Sequence, residues 1–139
     1  MPLMTTLREE MMFVEHVAFL VEDVKGVTDW WCANLGMKVI RYGGPPTHMT
    51  FLQDAAGKTM FEIYQKDDLE TPDYVAMHVS VLHFAFYSED VALDRERLIA
   101  AGATAVGEVA VTEAGDHLVF VRDPFGITIQ ILKRKEPMV

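Results

Sequence analysis

Two histidines, a glutamate and a glutamine set the chemistry this sequence can support. His16 and His83 each open a short apolar run, Glu62 sits inside Met60-Phe61-Glu62-Ile63-Tyr64, and Gln130 sits inside Thr128-Ile129-Gln130-Ile131-Leu132. Two imidazoles, one carboxylate and one amide form a mixed nitrogen and oxygen donor set, suited to Zn, Ni, Mn, Co or Fe(II) and poor for soft metals. A carboxylate buried among apolar neighbours without a cation or hydrogen bonds is costly, so Glu62 in particular asks for a partner. If the weaker amide donor Gln130 is not a ligand, two histidines and a carboxylate remain with open positions, the arrangement of non-haem Fe(II) oxygen chemistry. A metal-free polar pocket built from the same residues is the competing reading.

What would bring four distant residues together is an internal repeat. Glu22-Asp23-Val24 recurs as Glu89-Asp90-Val91, 67 residues later. Within two residues of that offset His16 maps onto His83, Glu62 onto Gln130, Gly36 onto Gly102, and Asp54 with Gly57 onto Asp123 with Gly126.

Each half reads as the same string of elements. His16 to Val21 and His83 to Tyr87 are β-prone runs closed by an acidic pair that suits a helix start. Helical spacing follows over Val24 to Leu35 and Val91 to Ala101, with Val27, Trp30, Trp31 and Leu35, or Leu93, the Arg97 stem, Leu98 and Ala101, as the expected apolar stripes. Gly36 and Gly102 stop the helices. Three strands come next in each half, over Lys38 to Tyr42, His48 to Leu52 and Thr59 to Gln65, then Thr104 to Val109, His117 to Arg122 and Thr128 to Leu132. The last two of each set are joined by Asp54-Ala55-Ala56-Gly57 and Asp123-Pro124-Phe125-Gly126. The expectation is an α+β fold of two tandem βαβββ modules, 12–65 and 78–133, forming a cupped mixed sheet as one domain, with an acidic linker over 66–77. Side chains alternate across a strand, which puts His16, Glu62, His83 and Gln130 on equivalent faces, opposite the bulkier sets such as Val17, Phe19 and Val21 that should meet the helix.

The repeat, the histidine on each first strand, Glu62-Ile63-Tyr64 and the ending Asp123-Pro124-Phe125-Gly126-Ile127-Thr128-Ile129-Gln130 resemble the vicinal oxygen chelate superfamily over about Phe13 to Leu132. That superfamily contains glyoxalase I, methylmalonyl-CoA epimerase, fosfomycin resistance transferases, extradiol dioxygenases and metal-free bleomycin-sequestering proteins. Membership implies fold and site position but not reaction. By resemblance His16, Glu62, His83 and Gln130 fall on the four ligand positions of metal-dependent members, where Gln130 departs from the usual glutamate. The resemblance implies a metal-dependent lyase or isomerase acting on a small substrate bound through adjacent oxygens. An Fe(II) dioxygenase and a metal-free sequestering protein are the alternatives. With Gln130 unable to take a proton, Glu62 becomes the expected catalytic base. The family pairs its chains, so a homodimer is expected, in which the four-residue set closes within one chain or across two.

Around that set, parity places Tyr64 and Tyr87 as pocket walls, and Arg41 and Arg122 are candidates for gripping an acidic substrate. His48, His78 and His117 read as hydrogen-bonded core histidines, and Cys32 as a buried thiol without a basic neighbour to activate it. A formal charge of −9, with Lys133, Arg134 and Lys135 as the one basic cluster, argues against nucleic acid. No apolar run reaches the length of a membrane span, and the first twelve residues lack an export pattern. With a single cysteine, a cytoplasmic location is the expectation.

Overall fold

Two aspartates start the two helices. In the computed structural model, which describes residues 11–138, Asp23 accepts a hydrogen bond from the Gly26 backbone N–H at 2.9 Å and Asp90 accepts one from Leu93 N–H at 3.1 Å. Each satisfies a donor that the first turn of a helix leaves without an internal partner. The reading of the first twelve residues falls outside the described part for residues 1–10.

The chain divides between Thr71 and Pro72 into two compact units, a boundary inside the expected linker. The first carries β1 (Val17–Leu20), α1 (Val24–Leu35), β2 (Lys38–Tyr42), β3 (Thr50–Gln53) and β4 (Met60–Tyr64). The second carries a short 3₁₀ turn (Tyr74–Ala76), then β5 (Phe84–Tyr87), α2 (Val91–Ala100), β6 (Thr104–Val111), β7 (His117–Arg122) and β8 (Thr128–Lys133). Both are βαβββ modules with the same strand order, β1-β4-β3-β2 and β5-β8-β7-β6. In each, the first strand runs parallel to the last and the remaining pairs are antiparallel. His16 and His83 each stand one residue before their strand. Gly36 ends α1 in the left-handed conformation, which glycine adopts without a Cβ penalty.

Each helix packs on one face of its own sheet. Val27 and Trp31 of α1 meet Leu52 of β3 and Ile63 of β4, all fully buried, and Trp31 lies 6.0 Å from both the Phe19 and Phe61 rings. In the second module Leu98, Val119, Val121, Ile129 and Ile131 play this part. Full burial of each such side chain stabilises by about 1.5–3 kcal/mol. The stripe of α2 differs from the expected one. Val91 and Leu98 face the sheet, whereas Leu93 is 61% exposed, because two residues on from Val91 lies nearly opposite it on a helix.

The β3–β4 and β7–β8 turns repeat one device. Asp54 accepts from Lys58 and Thr59 N–H, and Asp123 from Phe125 and Ile127 N–H. Gly57 and Gly126 follow with φ of +71° and +89°. The surroundings differ: a Cβ on Gly57 would find its nearest neighbour at 4.0 Å, while one on Gly126 would overlap the Val75 side chain and lie 3.0 Å from its backbone nitrogen. Gly57→Ala should therefore cost about 1 kcal/mol through backbone strain alone, and Gly126→Ala about 2–4 kcal/mol because the 3₁₀ turn must also move. Denaturant midpoints of the two variants measure this; equal losses would contradict the packing described.

The end of the chain is tied back to the β6–β7 turn. Asp116 accepts from the Arg134 guanidinium at 3.1 Å and the Lys135 N–H at 3.0 Å, and these hold its carboxyl below the usual carboxylate range, the backbone bond first. A carboxylate with a lowered folded-state pKa adds stability that is complete above its unfolded value and disappears as pH falls through the folded one. Asp116→Asn should lower the melting temperature near neutral pH, and the gap to the unsubstituted protein should close below the ordinary carboxylate range, about pH 4. A gap that persists in acid would show that the charge is not responsible.

Candidate functional site

One row of residues across the first sheet positions the polar groups. The register pairs Ala18 with Glu62, Glu62 with Phe51, and Phe51 with Arg41. Their neighbours Phe19, Leu52 and Ile63 pack toward the helix, so this row lies on the opposite face. His16, just before β1, points onto it: its ring meets Phe51 edge-on at 5.1 Å between centroids, and its Nε2 lies 3.5 Å from Glu62 Oε1. The Glu62 side chain is 19% exposed and that of His16 32%, so both are partly withdrawn from water yet reachable.

The second module repeats the row. Ala85 pairs with Gln130, Gln130 with Phe120, and Phe120 with Val106. His83 meets Phe120 edge-on at 5.2 Å, which puts the imidazole on the face that carries Gln130. Each module thus gathers one histidine and one partner of the expected set: His16 with Glu62, and His83 with Gln130. Among the described residues no group of three or more His, Cys, Asp or Glu is gathered as a metal cluster.

Both imidazoles are anchored through the same ring nitrogen. His83 Nδ1 lies 2.8 Å from the Val79 carbonyl, and His16 Nδ1 lies 2.8 Å from Glu15 Oε1. A carbonyl or carboxylate oxygen only accepts, so Nδ1 carries a hydrogen in each ring, and in the neutral imidazole Nε2 is then the atom with the lone pair. This is the tautomer and support that metal-binding histidines use. In the first module that lone pair faces a carboxylate oxygen. Two acceptor atoms at 3.5 Å repel unless a proton or a metal ion lies between them. Two ligands each about 2.1 Å from one ion at a near-tetrahedral angle are separated by about 3.4 Å. The donor pair fits a divalent metal in chemistry and in span.

The remaining expected residues fall out differently. Arg41 holds its guanidinium carbon 6.0 Å from the Phe51 ring centroid, in the same row as Glu62. Tyr64 follows Glu62 by two residues on β4 and shares its face. Tyr87 is exposed, and its hydroxyl donates to Glu89 at 2.9 Å. That bond, with some burial and the Glu89 charge, pushes the phenol above its ordinary range. Arg122, expected to grip an acidic substrate, is instead committed to acceptors of its own module. Its Nη1 donates to the Tyr74 and Gly126 carbonyls and Thr128 Oγ1, and its Nη2 to the Met77 carbonyl at 2.6 Å, which straps the segment before β5 to the β7–β8 turn. His48, His78 and His117 are not core residues, since none is buried. His78 instead accepts from Ser80 N–H. Cys32 is part-buried, and burial followed by the Asp29 charge raises its thiol pKa, in line with an unreactive thiol.

Sequence reasoning missed Phe51 and Phe120, against which the two histidines pack, as well as Glu15 and the Val79 carbonyl. The phenylalanines carried a usable signal, since they lie 69 residues apart, the offset of Asp54 and Asp123.

Comparison with solved structures agrees with this architecture. SMU.1112c is 27% identical, with 88% of this chain and 99% of that chain covered and a TM-score of 0.69. A glyoxalase family protein from Bacillus cereus, 18% identical over 89% of this chain and 95% of its own, superposes with a TM-score of 0.75. A glyoxalase family protein from Enterococcus faecalis is 21% identical over 89% and 99%, with a TM-score of 0.65. No curated protein matches. The fold is therefore that of the glyoxalase class, two tandem βαβββ modules. Residues 14–131 match the model of the Glyoxalase/Bleomycin resistance protein/Dioxygenase superfamily, and the chain belongs to that superfamily.

The Arg122 strap leads to a direct expectation. Arg122→Lys keeps the charge but loses the fork that reaches four acceptors, and it should destabilise by on the order of 2–3 kcal/mol, read from denaturant midpoints. A loss within error of zero would show the strap to be dispensable.

Proposed function

We propose that the protein is a metal-dependent enzyme of the vicinal oxygen chelate type, a lyase or isomerase acting on a small substrate that presents adjacent oxygens. The observation that carries this reading is the shared state of His16 and His83, each with Nδ1 bound to an acceptor and Nε2 left as a donor to a cation, together with the 3.5 Å approach of His16 Nε2 to Glu62 Oε1. His16, Glu62, His83 and Gln130 would hold the ion, with the four donors drawn from two modules, of one chain or of two in a homodimer. When bound, the ion supplies Lewis-acid polarisation of the substrate's oxygens.

The chain's own residues account for the rest. Glu62 is the group in the set able to take and return a proton at a carbon beside those oxygens, since the Gln130 amide cannot. Arg41, in the same register row as Glu62, supplies a positive charge for an acidic substrate. Tyr64 and Tyr87 bound the face as walls, and Phe51 and Phe120 pack edge-on against the imidazoles and set their planes.

Elemental analysis of protein purified without a metal-affinity column should find about one equivalent of a transition metal per four-donor set. Adding Zn, Ni, Mn or Fe(II) to stripped protein should raise the melting temperature, by the equivalent of about 2.7 kcal/mol at a hundredfold excess over Kd. His16→Ala and His83→Ala should each weaken that binding by at least about 100-fold, and Glu15→Gln by about 10-fold. Protein that carries no metal and gains no stability from any of these ions would overturn the reading and favour a metal-free sequestering protein.

A further inference from the structure

The face of the first module opposite His16 and Glu62 carries a cleft of about 500 Å³, between the first turns of α1 and the edge strand β2. This is within the range of about 300–1,000 Å³ that small-molecule sites occupy. Its walls are Val24 and Thr28 of α1, Val39 and Tyr42 of β2, Thr50 at the start of β3, and His48. Three features set it apart from a packing gap. Tyr42 and His48 stack at 6.1 Å between centroids with an interplanar angle of 22°, locked by a 2.6 Å hydrogen bond between the hydroxyl and Nδ1, which makes a flat aromatic wall. His48 holds this position from a left-handed backbone, φ 52°, which a non-glycine residue adopts at a cost and which concentrates at functional sites. Thr28 Oγ1 is buried with no hydrogen-bond partner, although such hydroxyls are nearly always paired.

We propose that this cleft is a second ligand site, distinct from the His16–Glu62 face, for a small aromatic molecule carrying one acceptor oxygen, such as an aryl ketone. The aliphatic walls and the Tyr42–His48 plane take the ring. Thr28 takes the oxygen: a helical threonine has two χ1 wells available, so an incoming acceptor draws the hydroxyl onto itself and relieves its unpaired state. The charges at the rim are already engaged, Lys25 with Asp29 at 2.6 Å and Asp23 with the helix N–H of Gly26, which favours a neutral ligand over an ion.

The second module provides an internal control. The repeat generates a cleft of about 410 Å³ at the corresponding place, where Val91, Val109, His117 and Lys133 stand for Val24, Tyr42, His48 and Gln65, so that the aromatic plane is missing and a lysine enters the lining. The architecture makes both clefts, and only the first is lined for a neutral aromatic ring.

The test is a methyl NMR titration of the full chain with acetophenone and, separately, with toluene, which has the ring without the oxygen. Acetophenone should produce saturable shifts of the Val24, Thr28 and Val39 methyls and leave those of Val91 and Val109 unmoved. Toluene should bind at least about fivefold more weakly, the worth of one hydrogen bond. Thr28→Val should bring acetophenone down to the toluene level. Val39→Trp, a substitution at a half-exposed edge position, should fill the cleft and abolish the shifts. No saturable shift of the Val24, Thr28 and Val39 methyls up to the solubility limit, or shifts of the Val24 and Thr28 methyls that survive in Val39→Trp, would overturn the site. Equal affinity of the two probes would overturn the role of Thr28.

Discussion

Everything in each module depends on a helix covering one face of a four-stranded sheet and leaving the other uncovered. Trp31 against Leu52 and Ile63, and Leu98 with Val119, Val121, Ile129 and Ile131, settle which face that is. Because strand side chains alternate strictly, the choice leaves no freedom for the residues between them. Once Ile63 is buried beneath α1, Glu62 must project from the far side; once Ile129 and Ile131 are buried beneath α2, so must Gln130. The polar groups are placed by the hydrophobic ones, and a slip of one residue in either last strand would exchange a buried isoleucine for a buried carboxylate or amide.

Most of this was legible before any coordinates, and the reason is the repeat. A single β-prone run says little, but two copies in register turn weak local signals into joint ones. The bounds of α1, Val24–Leu35, came directly from its periodicity and Gly36, and the turn residues Asp54 and Asp123 were marked by their shared offset. What could not be read was of another kind. The apolar character of Leu93 suggests the buried stripe of α2, whereas its angular position decides the matter and places it in solvent. The residue type of Arg122 suggests an anion grip, but its partners include backbone carbonyls of a segment some 45 residues away, and main-chain acceptors leave no trace in side-chain identity. The same holds for the Val79 carbonyl that orients His83.

The two modules share a frame and differ in what they mount on it. Where the first row ends in Arg41, the second ends in Val106; where the first places a carboxylate, the second places an amide. Charge, and with it the capacity to move a proton or meet an anion, is concentrated on one module. The other contributes an imidazole and a neutral hydrogen-bonding group. Such an asymmetry within a symmetric frame means that two rows alike in backbone register present different chemistry on their open faces.

The strap made by Arg122 has a consequence for the joint between the modules. Residue 65 is pinned to the first module, where its N–H donates to the Thr47 carbonyl, and Tyr74 and Met77 are pinned to the second by the guanidinium. The joint between those anchors is therefore Lys66 through Asp73, a stretch whose length could change without breaking any bond that either row of donors depends on.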